Sequence, residues 1–515
     1  MSDESASFSW IKKVSNDSNF SFALNVCYFN NFIYTVGVQF SPNNGFLSKF
    51  DTDGNLIWKS KYTSNTIGLY GVCTDNNGFI YTIGKASGFT SFYNSDGNLY
   101  TTKTITGGVQ SFIAKYDSNG NYIWISTIQG PNIGPSDGVN GYSICYDNSH
   151  IYVTGNMQGS VNFYNSDDTT FKTISCFRGA FIAKLDLTGV FQWVSYVNSI
   201  DGSVTGIDIC SDKNGSIYVC GIAYGQIQFF NYNNVQYGST YSTMTTIFNN
   251  APNFEHSKDC FVVKINDTGL IQWISKIVTN SIDYSHSLCC DNLGNVYVAG
   301  SYTKSSSADF NPSVDYTLLG YVSQSNDELY DLPYGPNAIL IKYNSSGIVQ
   351  YTTKIQSDAS TAYNQSVAAD DSGIYIIGTG HTKTYFYNSD NKISKIINSP
   401  NPPKAHKRGY IVKYNFDGFI QWISLLENNK IWFERSNPST FLYFIYRNII
   451  SDNQGHLYIA NYGTRIDKFF NTNGTEFTNP LTSSSDNDTI GYLAKLSLSR
   501  VPTLAFFNIV VQKIL

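Results

Sequence analysis

The chain has 515 residues, of which 42% are hydrophobic, 16% aromatic and only 14% charged, with a formal net charge of −5. That is enough apolar matter for a large core under a surface of Asn, Ser, Thr and Tyr, and the absence of a basic run excludes a nucleic-acid footprint. No apolar stretch reaches the roughly 18 residues of a membrane-crossing helix, and the opening MSDESASFSW lacks the charged-then-apolar pattern of a secretory leader.

In chain order, the first element is FSWIKKV (8–14), a Trp-bearing strand with nothing before it to pair with. A repeat then begins. Each copy reads as four short strands, A to D, represented in the second copy by GVCTD and FIYTIG (71–84), followed by FIAKYD and NYIWISTI (112–128). The segments are β-branched and aromatic and are bounded by Asp/Asn/Gly turns, the pattern of hairpins, and none carries a capped helical period. Strand B recurs as IYTVG (33–37), IYVTG (151–155), IYVCG (217–221), VYVAG (296–300), IYIIG (374–378) and LYIAN (457–461). The C–D unit pairs Lys49 with Trp58, Lys115 with Trp124, Lys184 with Trp193, Lys264 with Trp273, Lys342 with Tyr351 and Lys413 with Trp422. The seventh copy has a strand C, GYLAKLSLS (491–499), but no turn and no Trp strand after it. The N-terminal strand with Trp10 supplies what is missing. An all-β, seven-bladed propeller of four-stranded blades over residues 1–500 is therefore expected, its ring closed by residues 8–14. Residues 501–515 form a separate apolar tail.

The A–B and C–D connections are tight turns such as Asp75–Gly78 and Asp117–Gly120, expected on one face of the disc. The B–C connections, expected on the other, are long in all copies but the first. They share a pattern, Phe92-Tyr-Asn-Ser-Asp96, Phe163-Tyr-Asn-Ser-Asp167 and Phe386-Tyr-Asn-Ser-Asp390, which reads as an added hairpin with Phe as its anchor. Tyr93, Tyr164 and Tyr387 in these inserts, and Trp432 in a further insert (427–441), are the candidate contact residues, because long loops on a rigid scaffold are where binding resides.

Conventional chemistry is sparse. The six His are scattered without metal or triad spacing, and no nucleophile elbow, P-loop or dinucleotide fingerprint occurs. DTDGN (51–55) begins like a calcium loop but has Tyr62 at the twelfth position, where a bidentate Glu belongs. Five of the nine cysteines, at 27, 73, 145, 210 and 289, occupy matching places in strand A. They read as buried free thiols, with equivalent positions too far apart to bridge and no zinc spacing. Free thiols without a leader point to a reducing compartment or an assembled particle rather than classical secretion. No catalytic, metal or cofactor-binding residue is assigned.

The IYVTG strand, the insert ADFNPSVD (308–315) and the unit FIAKYDSNGNYIW (112–124) together resemble the SBBP-type β-propeller repeat family, over about residues 8–499. The resemblance implies a propeller, often in surface or extracellular proteins, and brings no catalytic residues. The tail LAFFNIVVQKIL, with Phe506, Phe507, Ile509 and Val510, is too short to span a bilayer and suits docking on a partner or on the propeller itself. The function expected is a non-enzymatic interaction scaffold, a structural component of a larger assembly such as a virion, with a protein partner or self-association. A glycan-binding module is the alternative, and a lyase or hydrolase with an axial site the third reading.

Overall fold

The computed structural model describes residues 5–14, 20–40, 43–131, 138–237, 246–248, 259–277, 284–304, 335–357, 362–380, 383–398, 408–427, 449–464, 468–477 and 489–499. All regular structure in them is antiparallel β, and no helix occurs among the described residues. The repeats follow the sequence pattern. The first is Ser21–Phe29, Phe32–Gln39, Asn44–Asp51 and Leu56–Thr63; the second is Ile67–Thr74, Ile80–Tyr93, Leu99–Tyr116 and Tyr122–Gln129. In the last, Ile449–Ser451, His456–Thr464 and Thr489–Ser499 are followed not by a C–D turn but by the N-terminal strand Ser5–Lys13, which pairs antiparallel with Thr489–Ser499. The whole is an antiparallel repeat fold of the propeller kind.

Two local rules explain the recurring sequence. The Gly that ends strand B faces a β-bulge in strand A; at Gly155 a Cβ would run into the carbonyl of Asn140, so no larger side chain fits. The C–D turn is held by its leading Asp. Asp117 Oδ1 accepts the amides of Asn119 and Asn121 at 2.9 and 2.8 Å. Gly120 closes that turn at φ +83°, with a Cβ position 2.7 Å from the Trp58 ring of the preceding repeat.

The cores lie between consecutive repeats rather than within them. Tyr34, Val36 and Leu47 of the first repeat pack with Val72, Phe112 and Ala114 of the second, and each later junction has its own cluster. One more joins the last repeat to the first: Val14, Tyr458, Ala460 and Leu493 pack with Ala23, Val26, Ile33 and Phe46. The A strands also touch in succession from Ser21–Phe29 to Ile449–Ser451, and Ile449–Ser451 touches Ser21–Phe29.

The inserts correct one expectation. They are hairpins, as in Lys383–Tyr387 with Ile393–Asn398, but they do not stay on a face opposite the tight turns. In repeats two and three, strands B and C simply run on, to 14 and 18 residues in Ile80–Tyr93 and Leu99–Tyr116, and they bend at a bulge next to Gly88 and Gly159. The outer part folds back along the rim and pairs with strand D of the preceding repeat: Tyr62 with Phe92, Ile128 with Phe163, Val197 with Phe229, Ile355 with Phe386 and Leu426 with Phe469. The tip then reaches the tight-turn side. Asn94 Oδ1 accepts the amide of Tyr122 at 3.0 Å, and Ser95 Oγ donates to the carbonyl of Asn119 at 2.6 Å. The physical reason is edge protection. Strand D would otherwise present an open row of amides and carbonyls, and the insert both covers it and buries its Phe completely or nearly so.

Candidate interaction surface

The residues that recur most strictly form a fastening rail on the tight-turn side. At five junctions the Lys of strand C and the Trp of strand D converge on one backbone carbonyl in the C–D turn of the next repeat. Lys115 Nζ and Trp124 Nε1 both donate to Leu187 O at 3.0 Å. Lys184 and Trp193 donate to Asp267 O at 3.0 and 2.9 Å, and Lys264 and Trp273 to Ser345 O at 2.9 and 3.1 Å. Lys49 and Trp58 meet on Ser118 O, and Lys342 alone reaches Phe416 O, because Tyr351 has no indole N–H. The last repeat grips the first in the same way: Lys495 and the N-terminal Trp10 donate to Thr52 O at 3.3 and 2.9 Å.

The strand-B tyrosine completes the rail. The Lys ammonium stands 5.2 Å from the Tyr81 ring centroid in repeat two and 5.6 Å from that of Tyr152 in repeat three. Tyr81 and Tyr152 donate to the A–B turn carboxylates of Asp75 and Asp147 at 2.9 and 2.6 Å. Burial, and then the adjoining carboxylate, push the Tyr81 phenol far above its ordinary value, so it stays a donor. Burial pulls the Lys49 and Lys115 ammonium groups below theirs. Sequence reasoning identified Lys and Trp as a signature but missed their shared acceptor; the signal was the constant pairing of IYxxG with the Lys–Trp unit.

Nearer the A strands lies a second cross-repeat device that the sequence did not single out. Asp208, 3% exposed, accepts from Ser143 Oγ of repeat three at 2.6 Å, and from Ser287 Oγ and Leu288 N of repeat five at 3.0 and 2.9 Å. His286, at the bulge of its A strand, sits beside Tyr284 and Tyr363 with Ser301 Oγ at 3.3 Å, and burial drives its pKa down to about 4. Among the described residues no group of three or more His, Cys, Asp or Glu is placed to hold a metal. None of the nine cysteines is in a disulfide. The expectation concerned equivalent strand-A positions; one non-equivalent pair does approach, with Cys210 Sγ 2.9 Å from Cys290 Sγ. Cys290 follows the position equivalent to Cys210, and side chains alternate along a strand, so it points across the junction where Cys289 does not.

Of the candidate contact residues, Tyr93, Tyr164 and Tyr387 lie half-buried on the rim, against strand D of the preceding repeat. Lys61 Nζ stands 5.4 Å from the Tyr93 ring, and Tyr387 donates to Gln356 Oε1 at 2.8 Å with Lys354 Nζ 4.4 Å from its ring. Trp432, Phe506, Phe507, Ile509 and Val510 lie outside the described residues, as does the ADFNPSVD insert.

No family model matches the chain. Over 302 residues it is 24% identical to an uncharacterized WD repeat-containing protein, L264, of Acanthamoeba polyphaga mimivirus. The match takes in 52% of this chain and 20% of the relative, so the chain spans about a fifth of that protein's length. Among solved structures it is similar to a protein of unknown function from Bacteroides caccae, at 12% identity over 62% of this chain and 92% of the other, with a TM-score of 0.25. It is also similar to a member of the DUF4221 family from Bacteroides vulgatus, at 10% identity over 96% and 99% of the two chains and a TM-score of 0.33. An engineered GH43 glycoside hydrolase is similar at 9% identity over 95% and 100%, with a TM-score of 0.24. Similarities this low assign neither chemistry nor ligand. The chain is a repeat protein of propeller-like β architecture with a viral WD-repeat relative, and no helix among its described residues is long and apolar enough to cross a membrane.

Proposed function

We propose that the chain is a seven-bladed β-propeller of the SBBP repeat type that serves as a non-catalytic protein-interaction scaffold in a larger assembly such as a virion. The carrying observation is the use made of the repeated polar residues: Lys and Trp fasten one repeat to the next, from Trp58 and Ser118 to Trp10 and Thr52, while Tyr and turn Asp pair within the repeat beside them. What differs between repeats, namely the D–A links, the insert surfaces and the apolar tail, is left to make outside contacts. Seven successive A strands and the core that joins the last repeat to the first support a closed ring of seven. The WD-repeat description of the mimivirus relative supports protein interaction and a viral setting.

The contacts are assigned to Tyr93, Tyr164 and Tyr387 on the rim, to Trp432, and to Phe506, Phe507, Ile509 and Val510 in the tail. Size-exclusion chromatography with light scattering, on the full chain and on a chain ending at Thr503, tests this. Self-association of the full chain and a folded monomer after truncation are expected. A monomeric full chain that scores on a glycan array would overturn the scaffold reading in favour of carbohydrate binding.

A further inference from the structure

The inserts do more than pair with the preceding repeat. In five repeats the amide that opens strand D donates to the Asn of that repeat's own insert: Tyr122 to Asn94, Phe191 to Asn165, Ile271 to Asn231, Ile420 to Asn388 and Phe8 to Asn471, all at 2.9–3.0 Å. Aromatic rings of the insert then cover the opening side chain. Phe92 and Tyr100 lie 5.5 and 5.6 Å from Tyr122, Phe163 and Phe171 lie 5.4 and 6.1 Å from Phe191, and Phe469 and Phe477 lie 5.0 and 6.0 Å from Phe8. Those three covered side chains are 5%, 1% and 5% exposed. Tyr100 adds a further tie by donating to the carbonyl of Ile123, as Tyr237 does to that of Gln272. Repeat one has too few residues for any of this: only 40–43 join its strands B and C, and Gln39 pairs directly with Asn44. Its strand D opens with Leu56 and Ile57, at the places of Tyr122 and Ile123, and these stand 49% and 48% exposed.

We propose that the start of strand D in repeat one, at Leu56 and Ile57, is a berth for an extended segment of a partner protein, which fits there as the inserts fit elsewhere: a side-chain carbonyl on the Leu56 amide, an aromatic ring over Leu56 and a hydroxyl on the Ile57 carbonyl. The five internal examples define this occupant, because each fills the equivalent place in its own repeat with the same chemistry. Ile57 also presents apolar surface where repeats three to six carry a Gln that donates to its own turn, as Gln192 does to Val190 O and Gln421 to Phe419 O. An insert of a second copy is not the occupant. Phe92, Phe163, Phe229, Phe386 and Phe469 are all buried and the tip Asn residues are engaged, so freeing one would expose a phenyl ring in order to cover a half-exposed Leu. Resting on the scaffold reading, this names the kind of partner and its place: an extended, Asn- and aromatic-bearing segment on the rim beside the N-terminal strand, whose Trp10 grips the adjoining turn at Thr52.

The probe is a synthetic peptide of this chain's own residues 88–105, the insert of repeat two, closed by a terminal disulfide because Gly88 pairs with Ile105. It is offered to the full chain. Saturable binding with a Kd below about 1 mM is expected, together with slower hydrogen exchange at the Leu56 amide and no change at the Tyr122 amide. Leu56→Lys, a change at an exposed position, should weaken binding about tenfold while leaving the melting temperature where it was. Asn94→Ala or Phe92→Ala within the peptide should do the same. No saturable binding, binding unaltered by Leu56→Lys, or protection at another site would each overturn the proposal. So would slow exchange at the Leu56 amide in the free protein: persisting on dilution, it means that the chain fills its own berth, and falling on dilution, that a second copy does. Self-association is read separately, by light scattering without peptide. Peptide binding by a monomeric chain counts against self-association alone, and self-association without peptide binding counts against this proposal alone.

Discussion

Asp208→Ala should be among the most damaging single changes available in this chain. The carboxylate is 3% exposed and accepts from Ser143, Ser287, Leu288 and the amide of Ile209, at 2.6 to 3.0 Å. It thus ties three consecutive A strands together. Hydrogen bonds to a charged group are worth roughly 1.5–3 kcal/mol each. Against that, removing a buried charge recovers its desolvation cost, and the two hydroxyls can turn toward other acceptors, whereas the Leu288 amide cannot. A net loss of about 4 kcal/mol follows. For 515 residues at about 2 cal/mol/K of unfolding entropy per residue, this lowers the melting temperature by about 4 °C. Asp208→Asn keeps the shape and one acceptor and should lose about half as much. Differential scanning fluorimetry on the two variants, with exposed Asp53→Ala as the control, decides the matter. A shift under about 1 °C for Asp208→Ala would refute the view that this carboxylate holds the A strands together.

His286 predicts a pH dependence. Its pKa falls from the ordinary 6.5 to about 4 in the folded protein, so the unfolded chain binds more protons between those values. Stability is therefore full above about pH 6.5 and declines as pH falls toward 4, by at most about 3 kcal/mol and nearer 2 because the side chain keeps some solvent contact. Urea melts at pH 7 and pH 4.5 should show His286→Phe flattening this slope; an unchanged slope would mean the ring is protonated in the fold. Phe163→Ala tests the insert as a structural element: a wholly buried ring removed from the rim should cost about 3–5 kcal/mol, and a cost below about 1 kcal/mol would return the insert to a surface decoration. Cys210 and Cys290 should be oxidised by glutathione disulfide to an internal disulfide, two thiols yielding one bond and two molecules of glutathione. Peptide mapping should find that pair first. Closing an 80-residue loop can add up to about 4 kcal/mol, and preferential oxidation of any other pair would contradict the observed proximity.

Much of this architecture was legible in the sequence because propeller repeats are locally encoded. Alternation of apolar and polar residues gives the strands, Asp-x-x-Gly gives the turns, and the Lys–Trp spacing marks the repeat. The unpaired Trp strand at 8–14 and the unpaired strand C at 491–499 also announced their partnership, and Ser5–Lys13 does pair with Thr489–Ser499.

Other features are properties of neighbours that are distant in sequence. Nothing within the insert Phe92–Asp96 says that it will fold back over the rim to cover the strand ending at Thr63; that direction depends on an exposed edge offered by the previous repeat. Asp208 looks like any strand residue until Ser143 and Ser287 arrive from two other repeats, and Cys290 meets Cys210 only because the pleat turns it across a junction. Trp422 occupies the same place in its repeat as Trp193, yet its buried Nε1 has no hydrogen-bond partner among the described residues, whereas Trp193 has Asp267 O. Sequence alone determined the hairpins and their order, because those depend on residues a few positions apart; tertiary structure decided which buried polar groups find partners, because that depends on packing between repeats.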